Sequence, residues 1–284
     1  MAQDKNTILT LQAQKRRGES ITMITAYDYP GGIAAERAGI DSILVGDSLA
    51  MVVLGHESTV SVTMEEMLHH CRAVRRGANK AFLIGDLPFM SYQADVSEAV
   101  RNAGRFLKEA GMDAVKLEGG VEVCDTVRAI TRAGITVVGH IGLTPQSAAK
   151  LGGYRVQGRT AAGAASLLAS ALALQDSGAA MLVLEMVPDR VAQLLSQRLT
   201  IPVIGIGAGA GCDGQVLVMH DMLGMFDRFT PRFVRRYAEL HAEMEAALKS
   251  YAAEVRARAF PAVEHSFQIE DAEFEAWQRE LSAR

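Results

Sequence analysis

Carboxylates set inside strongly apolar runs are the most informative residues of this chain. Asp47 lies in ILVGDS (43–48), Asp86 in FLIGDL (82–87), Glu118 in AVKLEGG (114–120) and Glu185 in MLVLEMV (181–187). Taking a carboxylate out of water is costly unless it is paired, hydrogen-bonded or bound to metal. Asp47, Asp86 and Glu118 come from three successive runs, with no cysteine or local histidine cluster beside them. Three converging oxygen ligands of this kind suit a hard cation, Mg²⁺ foremost. The competing reading is that each acid pairs with Lys116 or caps a loop. Lys116 and Glu118 are two residues apart, so on a strand they point to one face.

Glu185 is flanked by apolar residues on both sides. Desolvation there would raise its pKa and suit it to abstract a proton near neutral pH. An ion pair with an Arg or Lys from elsewhere is the alternative. His140, in VGHIG, is a satisfied core histidine or a ligand or substrate donor, and its spacing does not decide between them. Tyr27, Asp28 and Ser48 complete the polar residues at the ends of apolar runs. His69 and His70 fall on a helical stretch as packing or surface residues. His220 and Asp221, near the last run, are ambiguous.

These side chains need elements that bring them together. Besides the four runs above, ITMITAYD (21–28), TVVGHI (136–141), PVIGIG (202–207) and QVLVMHD (215–221) are short and apolar. Near-continuous Val, Ile and Leu runs mark strands buried on both faces, as in a parallel sheet. The intervals carry helical spacing over 62–77, 96–111, 121–134 and 160–178. Thr63 and Glu66 form a capping box at the start of the first, and Gly111, Gly134 and Gly178 stand as C-terminal stops of the other three. Eight strands alternating with helices predict an α/β fold, a (β/α)8 TIM barrel, rather than a doubly wound sheet. In such barrels the chemistry sits at the C-terminal ends of the strands, where these polar residues fall. The pattern predicts a single barrel domain over 1–284 with a C-terminal helical extension. That extension is a helix from about Arg232 to Arg258, whose stripe of Val234, Tyr237, Leu240, Met244, Leu248, Tyr251 and Val255 packs on the barrel or forms an oligomer contact. The charged residues after Pro261 read as an appendage.

The 284 residues are 49% hydrophobic and 22% charged, ordinary globular values that exclude disorder. With 29 basic and 33 acidic residues the net charge is −4, so no global pull toward nucleic acid or anionic membrane is expected. Cys71, Cys124 and Cys212 have no CxxC or framework spacing, which favours a reducing compartment. The N-terminus lacks the apolar core of a signal peptide, and the Ala-rich stretch 161–174 is too short to span a bilayer. A cytoplasmic location is the expectation. GIGAGAGCDG (205–214) matches a dinucleotide fingerprint formally, but a further apolar run follows where a helix should open. The remaining expectation for it is a loop over which a ligand approaches backbone amides.

The blocks TAYDYP, DSILVGDSLAMVVLGHESTVSVTMEEMLHH, GDLPFMSY, KLEGG, GHIGLTPQS, GGYRVQGR, LVLEMVP and IGIGAGAGCDGQVLVMHD resemble the ketopantoate (3-methyl-2-oxobutanoate) hydroxymethyltransferase family. They run in the family's order from about residue 21 to 226, and the similarity continues to residue 267. The resemblance implies a barrel of the phosphoenolpyruvate/pyruvate type. It also implies transfer of a hydroxymethyl group from 5,10-methylenetetrahydrofolate to 3-methyl-2-oxobutanoate, giving 2-dehydropantoate in pantothenate biosynthesis. By motif, Asp47, Asp86 and Glu118 would hold Mg²⁺, Asp47, Ser48, Asp86 and Lys116 would contact the 2-oxo acid, and Glu185 would accept the proton through a Mg²⁺-stabilised enolate. The family forms large ring-like homo-oligomers, commonly decamers, so a homo-oligomer is implied. Two rivals share these residues. A Mg²⁺-dependent lyase or mutase on the same barrel would act without folate, and a non-catalytic barrel would bind the oxo acid without proton exchange.

Overall fold

The eight apolar runs become eight parallel strands because each has neighbours on both faces. A computed structural model describes residues 5–283. The chain divides into two compact units, one reaching to Tyr237 and the other beginning at Ala238.

The first unit is a closed barrel in the order β1 to β8, with every neighbouring pair parallel. The strands are β1 (Ile21–Thr25), β2 (Ser42–Val45), β3 (Phe82–Asp86), β4 (Ala114–Glu118), β5 (Thr136–Gly142), β6 (Met181–Glu185), β7 (Val203–Ile206) and β8 (Gly214–Leu217). Closure comes from β1 on β8, with Ile21 opposite Gly214 and Ile24 opposite Leu217. Alternate residues, among them Met23, Leu44, Ile84, Val138, Val183 and Val216, fill the barrel interior. Their neighbours Ile24, Ile43, Leu83, Val115, Val137 and Leu182 pack outward against the helices. Both faces of the sheet are therefore apolar, which is why the strands read as runs rather than alternations.

Helix α1 (Ile8–Arg17) precedes the barrel and contributes Leu11 to the interior cluster. The connections then carry α2 (Tyr29–Arg37), the short α3 (Leu49–Val52), α4 (Met64–Gly77), α5 (Val96–Ala110), α6 (Cys124–Arg132), α7 (Ala161–Asp176) and α8 (Asp189–Arg198). Thr63 and Glu66 cap α4 reciprocally, and Met67, Leu68, Cys71 and Val74 form its buried face. Asp95 caps α5, which ends at Gly111 with φ 68°, a left-handed conformation that glycine adopts without a Cβ clash. Asp28 serves as the N-cap of α2, accepting from Gly31 N at 2.7 Å.

After β8 the first unit holds only the four-residue α9 (Met219–Met222). The second unit holds α10 (Leu240–Arg256) and α11 (Asp271–Ser282). Helix α10 starts at Leu240, eight residues later than the apolar spacing predicts, because Phe233 packs against the barrel-interior cluster and lies over Gly207. That anchoring outweighs the helical periodicity of residues 232–239. Met244, Leu248 and Tyr251 on α10 are more than half exposed. Among the described residues no helix is long and apolar enough to cross a membrane.

Candidate active site

The strand ends converge on a cavity of about 370 Å³ whose lining includes Asp47, Ser48, Asp86, Lys116, Glu118, His140 and Glu185. Each is delivered by a different register of the same sheet. Asp86 and Lys116 are Cα partners across β3 and β4, and Glu118 and His140 across β4 and β5. Lys116 and Glu118 both reach the cavity, as their two-residue spacing requires. All the expected site residues are thus brought together.

The charges are buried and interlocked. Lys116 Nζ lies 2.9 Å from Asp86 Oδ1 and 3.6 Å from Glu118 Oε1. Asp86 Oδ2 accepts from the backbone N–H of Asp47 at 3.0 Å, so the acid of β3 fixes the loop that carries the acid after β2. Burial, and then the proximity of Asp86 and Glu118, hold the Asp47 carboxyl well above its usual range. Burial raises Asp86 as well, against the pull of Lys116. Glu118 goes the other way: burial opposes its charge, but Lys116 and His140 outweigh it and hold the carboxyl below its usual range. Burial also opposes the ammonium of Lys116, yet Asp86, Glu118 and Asp47 hold it above the ordinary lysine value. Of the two expectations for the three acids, pairing with Lys116 holds for Asp86 and Glu118.

His140 stands between two carboxylates. Its Nδ1 is 3.3 Å from Glu118 Oε1 and 3.1 Å from Lys116 Nζ, and its Nε2 is 3.2 Å from Glu185 Oε2. Nδ1 can donate to Glu118 or accept from Lys116. Burial and Lys116 oppose protonation of the ring, but the carboxylates of Glu118 and Glu185 outweigh them and bring it up to about 9. Glu185 therefore faces a histidine, not the Arg or Lys considered from sequence. Its side chain is 14% exposed, whereas those of Asp86 and Glu118 are essentially sealed. Of these three acids, Glu185 is the most open to whatever fills the cavity.

Ser48 is held by Tyr27, whose buried hydroxyl lies 2.8 Å from Ser48 Oγ. His70 is tied to the Tyr27 carbonyl at 2.6 Å, and His69 is exposed. Asp221 is buried and lines the cavity. The glycine-rich loop leads directly into β8 without a helix, so the dinucleotide reading fails as expected. A Cβ at Gly207 would meet Phe233, one at Gly209 Asp189 and one at Gly211 Gln193, while Gly209 and Ala210 themselves are exposed.

Gln146 and Tyr92 belong to the cluster but are not visible in the spacing of the charges. Gln146 is 5% exposed and donates through Nε2 to Asp47 Oδ2 at 2.9 Å. Its backbone N–H donates to Glu118 Oε2 at 3.0 Å. The Tyr92 hydroxyl lies 2.9 Å from Gln146 Oε1 and from the Glu118 carbonyl. The available signal was weak: a glutamine after Thr-Pro in the loop that follows β5. Among the described residues no three His, Cys, Asp or Glu side chains are gathered so as to enclose a metal ion by themselves.

The family profile of ketopantoate hydroxymethyltransferase matches residues 5–263. A 3-methyl-2-oxobutanoate hydroxymethyltransferase from Moorella thermoacetica is 59% identical over 262 residues, covering 92% of this chain and 97% of the relative. The protein of the same name from Enterococcus faecalis is 54% identical over 267 residues, covering 94% and 97%. Among solved structures, a phosphonopyruvate hydrolase in complex with oxalate and Mg²⁺ aligns with a TM-score of 0.61 at 15% identity, covering 98% of this chain and 99% of the other. A phosphoenolpyruvate phosphomutase from Streptomyces platensis subsp. rosaceus aligns with a TM-score of 0.61 at 17% identity, covering 98% and 97%. At those identities the structural likeness speaks for the barrel alone.

Proposed function

Because the chain belongs to the ketopantoate hydroxymethyltransferase family, we propose that it transfers a hydroxymethyl unit to 3-methyl-2-oxobutanoate in pantothenate biosynthesis, with 5,10-methylenetetrahydrofolate as donor and Mg²⁺ as cofactor. The observation that carries the site assignment is the convergence on one cavity of Glu185, more exposed than Asp86 and Glu118, with the buried Lys116–Asp86–Asp47–Glu118 group.

The donor set suits a hard cation. Three buried carboxylates share one ammonium; burial and then Asp86 and Glu118 push Asp47 toward protonation, and burial and then Glu118 push Asp86 the same way. Asp86 Oδ1 is met by Lys116 Nζ, and Glu118 Oε1 by Lys116 Nζ and His140 Nδ1. Mg²⁺ usually takes one or two carboxylates and completes its shell with water and substrate oxygens, so an enclosing protein cage is not required. In this reading Asp47 and Asp86 hold the ion, with Glu118 behind them, engaged by Lys116, His140 and the Gln146 N–H. When bound, Mg²⁺ supplies Lewis-acid polarisation of the keto group.

The chain's own groups do the rest. Ser48, held by Tyr27, and Lys116 bind and neutralise the 2-oxo acid carboxylate together with the groups around Asp47 and Asp86. Glu185 accepts the proton from C3, and the carbanion equivalent forms the new C–C bond to the methylene carbon, whose C–N bonds to the folate break to release tetrahydrofolate while water supplies the hydroxyl oxygen. Apolar residues Leu44, Val183, Ile206 and Val216 line the same cavity and suit a branched hydrocarbon tail. The exposed stripe of Met244, Leu248, Tyr251 and Val255 on α10 supports a homo-oligomer, which light scattering of the intact chain checks directly.

Proton NMR of 3-methyl-2-oxobutanoate in D₂O tests the function. Mg²⁺-dependent loss of the C3 proton, with hydroxymethyl signals only when methylenetetrahydrofolate is added, supports it. Exchange without transfer removes the folate donor. Absence of exchange under any divalent metal removes the mechanism and favours a binding role. Folate-independent cleavage of 2-oxo acids would favour the lyase alternative.

A further inference from the structure

The acids of the cluster are oriented by a neutral side chain that none of them resembles. Gln146 sits in the turn Pro145–Ser147 after β5, and its amide is fully used. Nε2 donates to Asp47 Oδ2 at 2.9 Å and to the Leu87 carbonyl at 3.0 Å, while Oε1 receives Tyr92 OH at 2.9 Å and Gln93 Nε2 at 3.3 Å. Turning the amide over would set its oxygen against two acceptors and its NH₂ against Gln93 Nε2, so only one orientation is stable. The backbone N–H of the same residue holds Glu118 Oε2 at 3.0 Å, and the Tyr92 hydroxyl braces both the Gln146 amide and the Glu118 backbone, accepting from Glu118 N at 3.1 Å. One buried glutamine thereby ties the end of β2, the residue after β3 and the end of β4.

We infer that Gln146 is a positioning residue for the cation site: by occupying Asp47 Oδ2 it fixes which carboxylate oxygen of Asp47 faces the ion, by holding Glu118 Oε2 it keeps that acid behind the site, and Tyr92 fixes Gln146. This rests on the reading that Asp47 and Asp86 hold a divalent cation. A polar group that orients a ligating carboxylate is held in place by its own partners, and losing it typically costs about 10–100-fold in metal affinity or activity. The cause is rotational: released from the amide, the Asp47 carboxylate has to be ordered by the ion itself. Since Gln146 touches the acid and not the reacting carbon, saturating metal should restore the chemistry.

The test is Mn²⁺ binding by electron paramagnetic resonance or calorimetry to the intact protein, with no substrate present. Gln146→Met keeps the length and removes the donors. It should raise the Mn²⁺ dissociation constant about 10–100-fold, with C3 exchange recovering to within a few-fold of wild type at saturating metal. Tyr92→Phe removes only the brace, so it should produce a smaller rise in the same direction. The double variant should then be no weaker than Gln146→Met alone, because the brace acts through the amide. If Gln146→Met does not fold, as judged by circular dichroism, Tyr92→Phe decides. A dissociation constant within twofold of wild type in a folded variant overturns the inference and leaves Gln146 a purely structural residue. Asp47→Asn separates the two readings. If it binds Mn²⁺ as wild type does, the cation site itself is misplaced and the role of Gln146 falls with it. If it loses Mn²⁺ while Gln146→Met and Tyr92→Phe do not, only the role of Gln146 falls.

Discussion

Glu185 Oε2 faces His140 Nε2 at 3.2 Å, and the other nitrogen of that ring is turned to Glu118 and Lys116. The imidazole thus joins Glu185 to the buried charge cluster of Lys116, Asp86 and Glu118. A ring held up to about 9 by two carboxylates keeps its Nε2 proton near neutral pH and can hold Glu185 in one rotamer.

Glu185→Gln keeps the shape and removes the base. C3 deuterium exchange should fall by about 10²–10⁴-fold, the usual contribution of a positioned base. The 2-oxo acid should bind within a few-fold of wild type, because Lys116 and the groups around Asp47 are untouched. Exchange by NMR and binding by calorimetry check the two halves, and normal exchange would remove Glu185 from the base role.

Gly142 controls where Glu185 sits. It pairs with Glu185 across β5 and β6 at φ 95°, and a Cβ there would lie 2.2 Å from the Glu185 carbonyl oxygen. Gly142→Ala must therefore move the end of β6. Displacement of about 1 Å at a reacting group costs on the order of 10²-fold. The expected result is a fall in exchange of that size in a protein that still folds, with the loss in kcat rather than in KM.

The barrel was legible because its strands are buried on both faces, so Val, Ile and Leu cluster in runs, and every run but PVIGIG carries a polar residue to the cavity. Local rules also held where both partners lie within one helical turn, as with Thr63 and Glu66. What escaped depended on distance along the chain. Gln146 contacts Asp47 across 99 residues, and no spacing rule connects them. The helix start misplaced at Arg232 depends on Phe233 finding Gly207, a tertiary contact that overrides a correct local period. The close approach of Phe233, Asp189 and Gln193 to Gly207, Gly209 and Gly211 is likewise a tertiary matter that glycine spacing does not announce. His140 was ambiguous because burial alone does not separate a core histidine from one between two acids.

Lys116→Met removes the ammonium that sits between Asp86 and Glu118 while keeping most of the volume. Breaking a buried pair by deleting one partner typically costs about 3–5 kcal/mol. The variant should melt well below wild type in EDTA. If the acids form a cation site, Mg²⁺ should raise its Tm more than that of wild type, because the added charge replaces the lost one. Thermal denaturation with and without Mg²⁺ reads both effects, and an equal Mg²⁺ response in the two proteins would argue against a cation among these acids.

Asp221 supplies a pH dependence separate from that cluster. It lies in α9, lines the cavity and is brought up to about 6 by burial, against the pull of Arg236. In the unfolded chain an aspartate titrates near about 3.9. Between those values the folded protein binds the proton more tightly than the unfolded one, so this contribution to stability is full below the lower value. It is lost as pH rises through the upper one. By pH 7 the charged form is dominant and its burial lowers the stability of the fold. Asp221→Asn removes that cost, so the variant should be the more stable protein at pH 7–8, with the advantage shrinking as pH falls toward 4. Urea denaturation of both proteins across that range measures it. An advantage that persists unchanged at pH 4 would assign the effect to packing of the amide rather than to the charge.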